Sequence, residues 1–133
     1  MANSMYTQGK ANILAGNLDW DADTIKTTLC DAADYVKNLS TDDFYNDVTG
    51  AGRVATSSAM GSKTTTNGVA DAADITFSAV SGDVSEELVV WKDTTVESTS
   101  PLICNFDTAT GLPVTPNGGD ITVTWSGSGI FSL

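Results

Sequence analysis

The last third of the chain carries the clearest alternation of apolar and polar positions. Within residues 86–93, Leu88, Val89, Val90 and Trp91 are apolar in succession. A short run apolar on both faces predicts a central strand covered on both sides. Residues 102–107, Leu102-Ile103-Cys104-Asn105-Phe106-Asp107, predict the next strand. Residues 121–125 then place Ile121, Val123 and Trp125 on one face and Thr122 and Thr124 on the other.

Upstream the elements are shorter. Residues 4–15 allow one helix, capped by Ser4, ended by Gly16-Asn17 and carrying a sparse stripe of Tyr6, Ile13 and Leu14; Gly9 weakens it. Residues 23–29 alternate, with Ile25, Thr27 and Leu29 sharing a face. Ser40 or Thr41 ahead of Asp42-Asp43 predicts one or two helical turns, with Phe44 and Val48 packed on the sheet. Residues 52–60 and 62–66 read as strands around Gly61, and Asn67-Gly68 as a tight turn. Residues 74–80 alternate again, with Ile75 and Phe77 inward, before a turn at Ser81-Gly82-Asp83. Roughly six to eight short strands with regular turn signals predict a mainly β chain: a small antiparallel β-sandwich or barrel with one or two short helices in the N-terminal half. No internal repeat is visible, and residues 1–133 read as a single domain in which residues 1–16 form an arm or a short helix.

Composition agrees. The chain has 133 residues, 41% of them hydrophobic and 17% charged, enough to bury one core without a metal or disulfide staple. Six basic against seventeen acidic residues give a net charge of −11, and Lys10, Lys26, Lys37, Arg53, Lys63 and Lys92 are scattered. Such a surface repels phosphate, so neither nucleic acid nor an anionic membrane is an expected partner. There is no apolar run long enough to span a bilayer. The first ten residues lack the basic and apolar regions of a secretory leader, which predicts folding in a reducing cytoplasm. In strand parity Cys104 goes with Leu102 and Phe106, and Cys30 is opposite to Ile25 and Leu29. Two free thiols are therefore expected.

Candidate chemistry is thin. With no histidine, Ser-His-Asp and Cys-His arrangements and histidine zinc sites are excluded, and two separated cysteines make no zinc cluster. Asp19, Asp21 and Asp23 have the opening spacing of a calcium loop. Thr24 then stands where glycine is needed and Cys30 where a bidentate glutamate belongs, so a solvated loop is expected. Asp31/Asp34 and Asp71/Asp74 are paired carboxylates at strand ends, the place of turn formers rather than of a glycosidase pair. Trp20 and Tyr35, in polar surroundings, are candidates for exposed aromatics that cap a sheet edge or bind sugar or protein. No catalytic residue, cofactor or metal ligand is expected.

Several segments, in order, carry a resemblance. They are Asn17-Leu18-Asp19 into Asp23-Thr24-Ile25-Lys26, Asp43-Phe44, Gly52-Arg53-Val54-Ala55 and Ala72-Ala73-Asp74-Ile75-Thr76-Phe77. They continue through Trp91-Lys92-Asp93-Thr94, Ser100-Pro101-Leu102-Ile103 and Thr108-Ala109-Thr110-Gly111-Leu112-Pro113-Val114-Thr115. The last are Asn117-Gly118-Gly119-Asp120-Ile121-Thr122-Val123-Thr124-Trp125 and Ile130-Phe131. Taken together they resemble a family of small structural proteins of tailed bacteriophages of the capsid decoration, or cement, kind. The resemblance implies a non-enzymatic virion protein on the capsid exterior. It would be made in the host cytoplasm, bind the major capsid protein and assemble as a homotrimer. A tail, neck or fibre component, or a carbohydrate-binding β-sandwich for host recognition, is the alternative. On this reading residues 1–16, 113–120 and 127–133 reach out to partners. Cutting away the first sixteen residues would then weaken attachment and leave the fold intact.

Overall fold

A computed structural model describes residues 4–133. In chain order the elements are β1 (Ser4–Met5), α1 (Thr7–Leu14), β2 (Ile25–Cys30), β3 (Arg53–Thr56), β4 (Val69–Ala70), β5 (Ile75–Phe77), β6 (Glu87–Lys92), β7 (Leu102–Phe106), β8 (Ile121–Val123) and β9 (Phe131–Ser132). Four single turns of 3₁₀ helix lie in the connections. Five strands form one antiparallel sheet in the order β1-β7-β6-β2-β3, while β4 pairs with β9 and β5 with β8 as separate two-stranded ribbons. The fold is mainly β, as its pattern predicts. The main sheet is open and does not close into a barrel.

β6 is the middle strand, and its run of apolar residues feeds two cores. Leu88 and Val90 pack with Ile25, Leu29, Ile75, Phe77 and Val123 under the two ribbons. Val89 and Trp91 point the other way, to Tyr6, Tyr35, Tyr45 and Val48. Each fully buried aliphatic side chain of this kind contributes about 1.5–3 kcal/mol. Ile75 and Phe77 are inward and Thr76 is exposed, the alternation expected of that segment. The strand there is shorter than residues 74–80, and residues 121–125 form strand only over Ile121–Val123, paired with β5 rather than joined to the main sheet.

Bulges change the parity of β7. Val90 pairs with Cys104 but Trp91 pairs with Leu102, so Ile103 has no opposite partner. Side-chain alternation slips by one there. Leu102 joins the Trp91 core, while Ile103 and Cys104 both join the other. The shared face assigned to Leu102 and Cys104 is thus corrected. Cys30 and Cys104 do lie in different cores, and both are free thiols.

The N-terminal segment departs most from expectation. Ser4 caps nothing: it is in β1, opposite Asn105. The helix starts only at Thr7, behind the fully buried Tyr6. Its buried positions are Gly9 and Asn12, whereas Leu14 is 84% exposed, so the expected Tyr6, Ile13 and Leu14 stripe is not its packed face. Tyr6 N–H donates to Ile103 O, and α1 lies against the part of β7 that β1 leaves unpaired. The C-terminal end does follow its signal. Gly16 is left-handed (φ 78°), Gly16 N–H reaches Ile13 O and Asn17 N–H reaches Asn12 O, the paired bonds of a Schellman stop.

Other expectations shift by a turn or a residue. Residues 40–48 form a 3₁₀ turn over Tyr45–Asp47 instead of an α-helical one. Its three-residue repeat buries Tyr45 and Val48 and leaves Phe44 half-buried. The cap comes from within: Asp47 Oδ2 accepts the N–H groups of Asp43 and Phe44. Strand structure in residues 52–60 is limited to β3, though Ser57 and Met60 still donate to Thr27 O and Ile25 O. Residues 62–66 are not a strand; Thr64 alone bridges to Asp71. The Asn67-Gly68 turn is present, both residues having positive φ (57° and 76°).

The segments expected to reach outward are docked. β1 and α1 pack against the core through the partly buried Met5 and Ile13, and β9 is held by β4, with Leu133 N–H on Gly68 O. Val114 exchanges two 2.9 Å backbone bonds with Ser85. Among the described residues no helix is long and apolar enough to cross a membrane.

Candidate interaction surface

The carboxylates singled out by spacing are engaged in local structure. Asp19 Oδ1 accepts the N–H groups of Asp21 and Ala22, and Asp23 Oδ2 accepts that of Asp19. Asp23 also pairs with Lys92 at 2.9 Å. Burial opposes its ionisation, but the Asp19 N–H and the Lys92 ammonium outweigh that and hold the carboxyl below its ordinary range. This stretch is a self-bonded turn, in line with the loop reading. Asp31 Oδ1 accepts the Ala33 N–H, Asp71 Oδ1 accepts the Ala72 N–H and Asp74 Oδ1 accepts the Trp125 N–H. Asp31, Asp71 and Asp74 therefore work as turn and loop acceptors.

Asp83, from the turn after β5, brings a carboxylate oxygen to within 4.8 Å of those of Asp31 and Asp34. These are the residues with donor atoms close enough to share a cation, among those described. Asp34 and Asp83 are exposed to water. Spacing flagged the first two; the third arrives from a different loop and carries no sequence signal.

Trp20 and Tyr35 are not surface aromatics. Trp20 is 5% exposed, donates from Nε1 to Asp71 O at 3.0 Å and meets the Phe131 ring edge-on at 5.2 Å. Tyr35 is 2% exposed, with its hydroxyl 2.8 Å from Tyr6 Oη and donating to Asp42 Oδ2 at 2.8 Å. Asn105 Nδ2 donates to Tyr6 Oη and Lys37 Nζ to Asn105 Oδ1, so one polar chain threads the second core from Asp42 to Lys37. Lys37 ends it with ion pairs to Asp107 at 2.6 Å and Glu87 at 3.1 Å. Burial pushes both tyrosine hydroxyls well above their ordinary range. Sequence parity cannot find this network, because its members come from the cap of α1, from β6, from β7 and the residue after it, and from one long loop.

A second bonded group ties the edge strand to the sheet. Arg53 lies 3.9 Å over the Tyr45 ring, which stacks on Trp91 at 3.8 Å. The guanidinium grips Glu97 with two bonds of 2.7 and 2.9 Å and also donates to Val48 O and Tyr45 O. That ion pair raises Arg53 and lowers Glu97.

Exposed apolar side chains occur at several places, among them Val36 and Val96, and two of the largest flank one cleft. A cleft of about 330 Å³ opens between the end of α1 and the β4–β9 ribbon, walled by Ile13, Leu18, Trp20, Val69, Phe131 and Leu133. Leu133 is 70% exposed, and Leu14, next to Ile13 on the helix, is 84% exposed. The strand pairing of β4 with β9 also sets Phe131 against Trp20, and Leu133 beside it is open to solvent. Contiguous exposed apolar surface of this kind is what partner-binding proteins retain. No protein-family model matches the chain, and no curated protein is similar to it.

Proposed function

We propose that this protein is a structural component of a tailed-phage virion, a capsid decoration protein that binds the major capsid protein on the assembled head. The observation that carries the reading is the apolar cleft, lined by the exposed Leu133 and with the exposed Leu14 next to its wall residue Ile13, on a small body whose Trp20 and Tyr35 are committed to holding the fold. The ordered resemblance of the segments that form β2, β6, β7 and β8 supports it. A partner that binds assembled shell better than free subunits stabilises the shell by mass action. Repetition over a symmetric lattice lets a modest single-site affinity suffice, and a homotrimer would multiply it further.

The alternative of a sugar-binding surface built on Trp20 and Tyr35 loses its platform, since both rings are buried. Attachment is tested on empty shells. Leu14→Glu with Leu133→Glu places one charge in the cleft and one beside it without touching the core, and occupancy on shells is expected to fall at least tenfold at fixed protein concentration. Virion density for this chain at the local threefold axes is the expected outcome of imaging. Density confined to the neck or tail would replace the head assignment with the tail one, and undiminished occupancy of the double variant would remove the cleft from the interface.

A further inference from the structure

A second cleft, of about 530 Å³, lies between the end of β7, the loop that follows it, and the turn after β8. Its character is different. Phe106 and Trp125 form an aromatic wall, their centroids 5.5 Å apart and their planes tilted by 54°. The rest of the lining mixes hydroxyl-bearing residues, Thr110, Thr124 and Ser126 among them, with small and apolar ones such as Ala109 and Val123. None of its nine lining residues is charged, in a chain of net charge −11. The indole Nε1 of Trp125 is buried and has no hydrogen-bond partner among the described residues. The chain's other two indoles are satisfied: Trp20 Nε1 donates to Asp71 O and Trp91 Nε1 to Thr28 Oγ1.

A buried donor without an acceptor is costly. What would relieve it is a neutral group bearing oxygen acceptors. The flat aromatic wall favours a ligand with an apolar face, and the hydroxyl-bearing residues favour one with several hydroxyls of its own. The absence of charge in the lining disfavours anions and cations alike. The volume lies within the span of small-molecule sites, about 300–1,000 Å³. A pyranose ring has all of these properties: C–H groups on one face, hydroxyls around its edge, oxygen acceptors and no charge.

We propose that the Trp125 cleft is a saccharide-binding site, in which the sugar packs on Phe106 and Trp125 and, with a small turn of the ring, accepts a hydrogen bond from the Trp125 indole, whose N–H is shut off from solvent in the free cleft. The site lies apart from the apolar cleft of α1 and β9, and it stands or falls independently of the capsid reading. It also moves the sugar-binding aromatic from Trp20 and Tyr35, which are buried, to a residue that sequence patterning assigns to the core face.

The three tryptophans supply a direct readout, because each gives one indole N–H signal in a ¹⁵N-labelled sample. Titration with glucose, galactose and N-acetylglucosamine is expected to shift the Trp125 indole signal saturably for at least one sugar, on the order of millimolar affinity, leaving those of Trp20 and Trp91 in place. Trp125→Phe keeps the aromatic face and removes the donor; followed through backbone amides of residues 108–110 and 124–126, affinity is expected to fall about tenfold. Should that variant fail to fold, Thr124→Val, on an exposed side chain, is expected to weaken the same titration severalfold. The proposal is overturned if no sugar moves the Trp125 signal. It is equally overturned if cyclohexanol, with a similar apolar ring and one hydroxyl, moves it as strongly, since the cleft would then be only an apolar slot. Equal affinity of the donor-deleted and native proteins would overturn it too.

Discussion

Gly9 lies where α1 meets the backbone of β7, and a Cβ there would sit 2.7 Å from Leu102 O and 2.8 Å from Ile103 O. Helix propensity and packing pull in opposite directions at this position. Glycine costs the helix about 1 kcal/mol relative to alanine. Alanine would push the helix off the strand at a cost of about 1–3 kcal/mol, the usual penalty of overpacking. The obstacle is main chain, which cannot swing aside, so packing wins. Gly9→Ala is expected to lower the urea midpoint of unfolding, and a raised midpoint would show that the helix can lift off β7. The same residue illustrates what residue-level reading catches and misses. Gly9 is a weak helix former in any local accounting, and nothing near it in sequence announces a strand one side chain's width away. Trp20 and Tyr35 fail in the same manner. Their sequence neighbours are polar, and what buries them is distant: Asp71 and Phe131 for one, Tyr6 for the other. Ile75, Phe77 and the run from Leu88 to Trp91 were legible because strand alternation is a local property.

At the scale of elements, the first sixteen residues are the instructive case. A capped helix on a loose arm is the sensible local reading, and the Gly16 stop was legible because a left-handed terminus has a residue signature. The strand before the helix was not, since two residues carry no periodicity and β1 exists only because β7 offers it an edge. The consequence reverses the expectation for truncation. Removing residues 1–16 deletes the fully buried Tyr6, strips Tyr35 and Asn105 of a hydroxyl partner and uncovers one side of β7. Loss of one large buried aromatic alone costs about 3–5 kcal/mol, against about 5–15 kcal/mol of total stability for a domain. The truncated chain is expected to melt at least about 10 °C below the intact one by circular dichroism. An unchanged melting temperature would restore the arm. Internal deletions are a different matter: the β5–β8 ribbon meets the main sheet through Ile75, Phe77 and Val123, so its loss exposes one core and leaves the Trp91 side in place.

Ionisation acts on the molecule as a whole, and its two limbs differ in kind. On the acid side the groups held below their ordinary range are Asp23, Asp93, Glu97 and Asp107. Burial opposes ionisation of Asp23 and Asp107, but Lys92 and Lys37 outweigh it; Lys26 draws down Asp93 and Arg53 draws down Glu97. A depressed folded-state value gives stability that is complete above the unfolded value, about 4, and disappears as pH falls through the folded one. These pairs are largely at the surface, where each is worth about 0–1 kcal/mol, and protonation also relieves the repulsion within a chain of net charge −11. The acid limb is therefore shallow. On the alkaline side burial raises Tyr6, Tyr35, Cys30 and Cys104. A raised folded-state value gives stability that is complete below the unfolded value, about 8.5 for a thiol and about 10 for a phenol, and is lost as pH climbs above it. Four groups in two cores act together there, and the growing negative charge adds to them. Urea midpoints are expected to stay nearly level from about pH 5 to 8 and then to drop steeply between about pH 9 and 11. Replacing both cysteines with alanine isolates their share: the native core is weakened throughout, but the onset of the drop moves toward the tyrosine range. A midpoint that holds constant from pH 7 to 10.5 would mean that the thiols and phenols ionise without resistance in the folded protein, and so that neither core excludes water as these side chains imply.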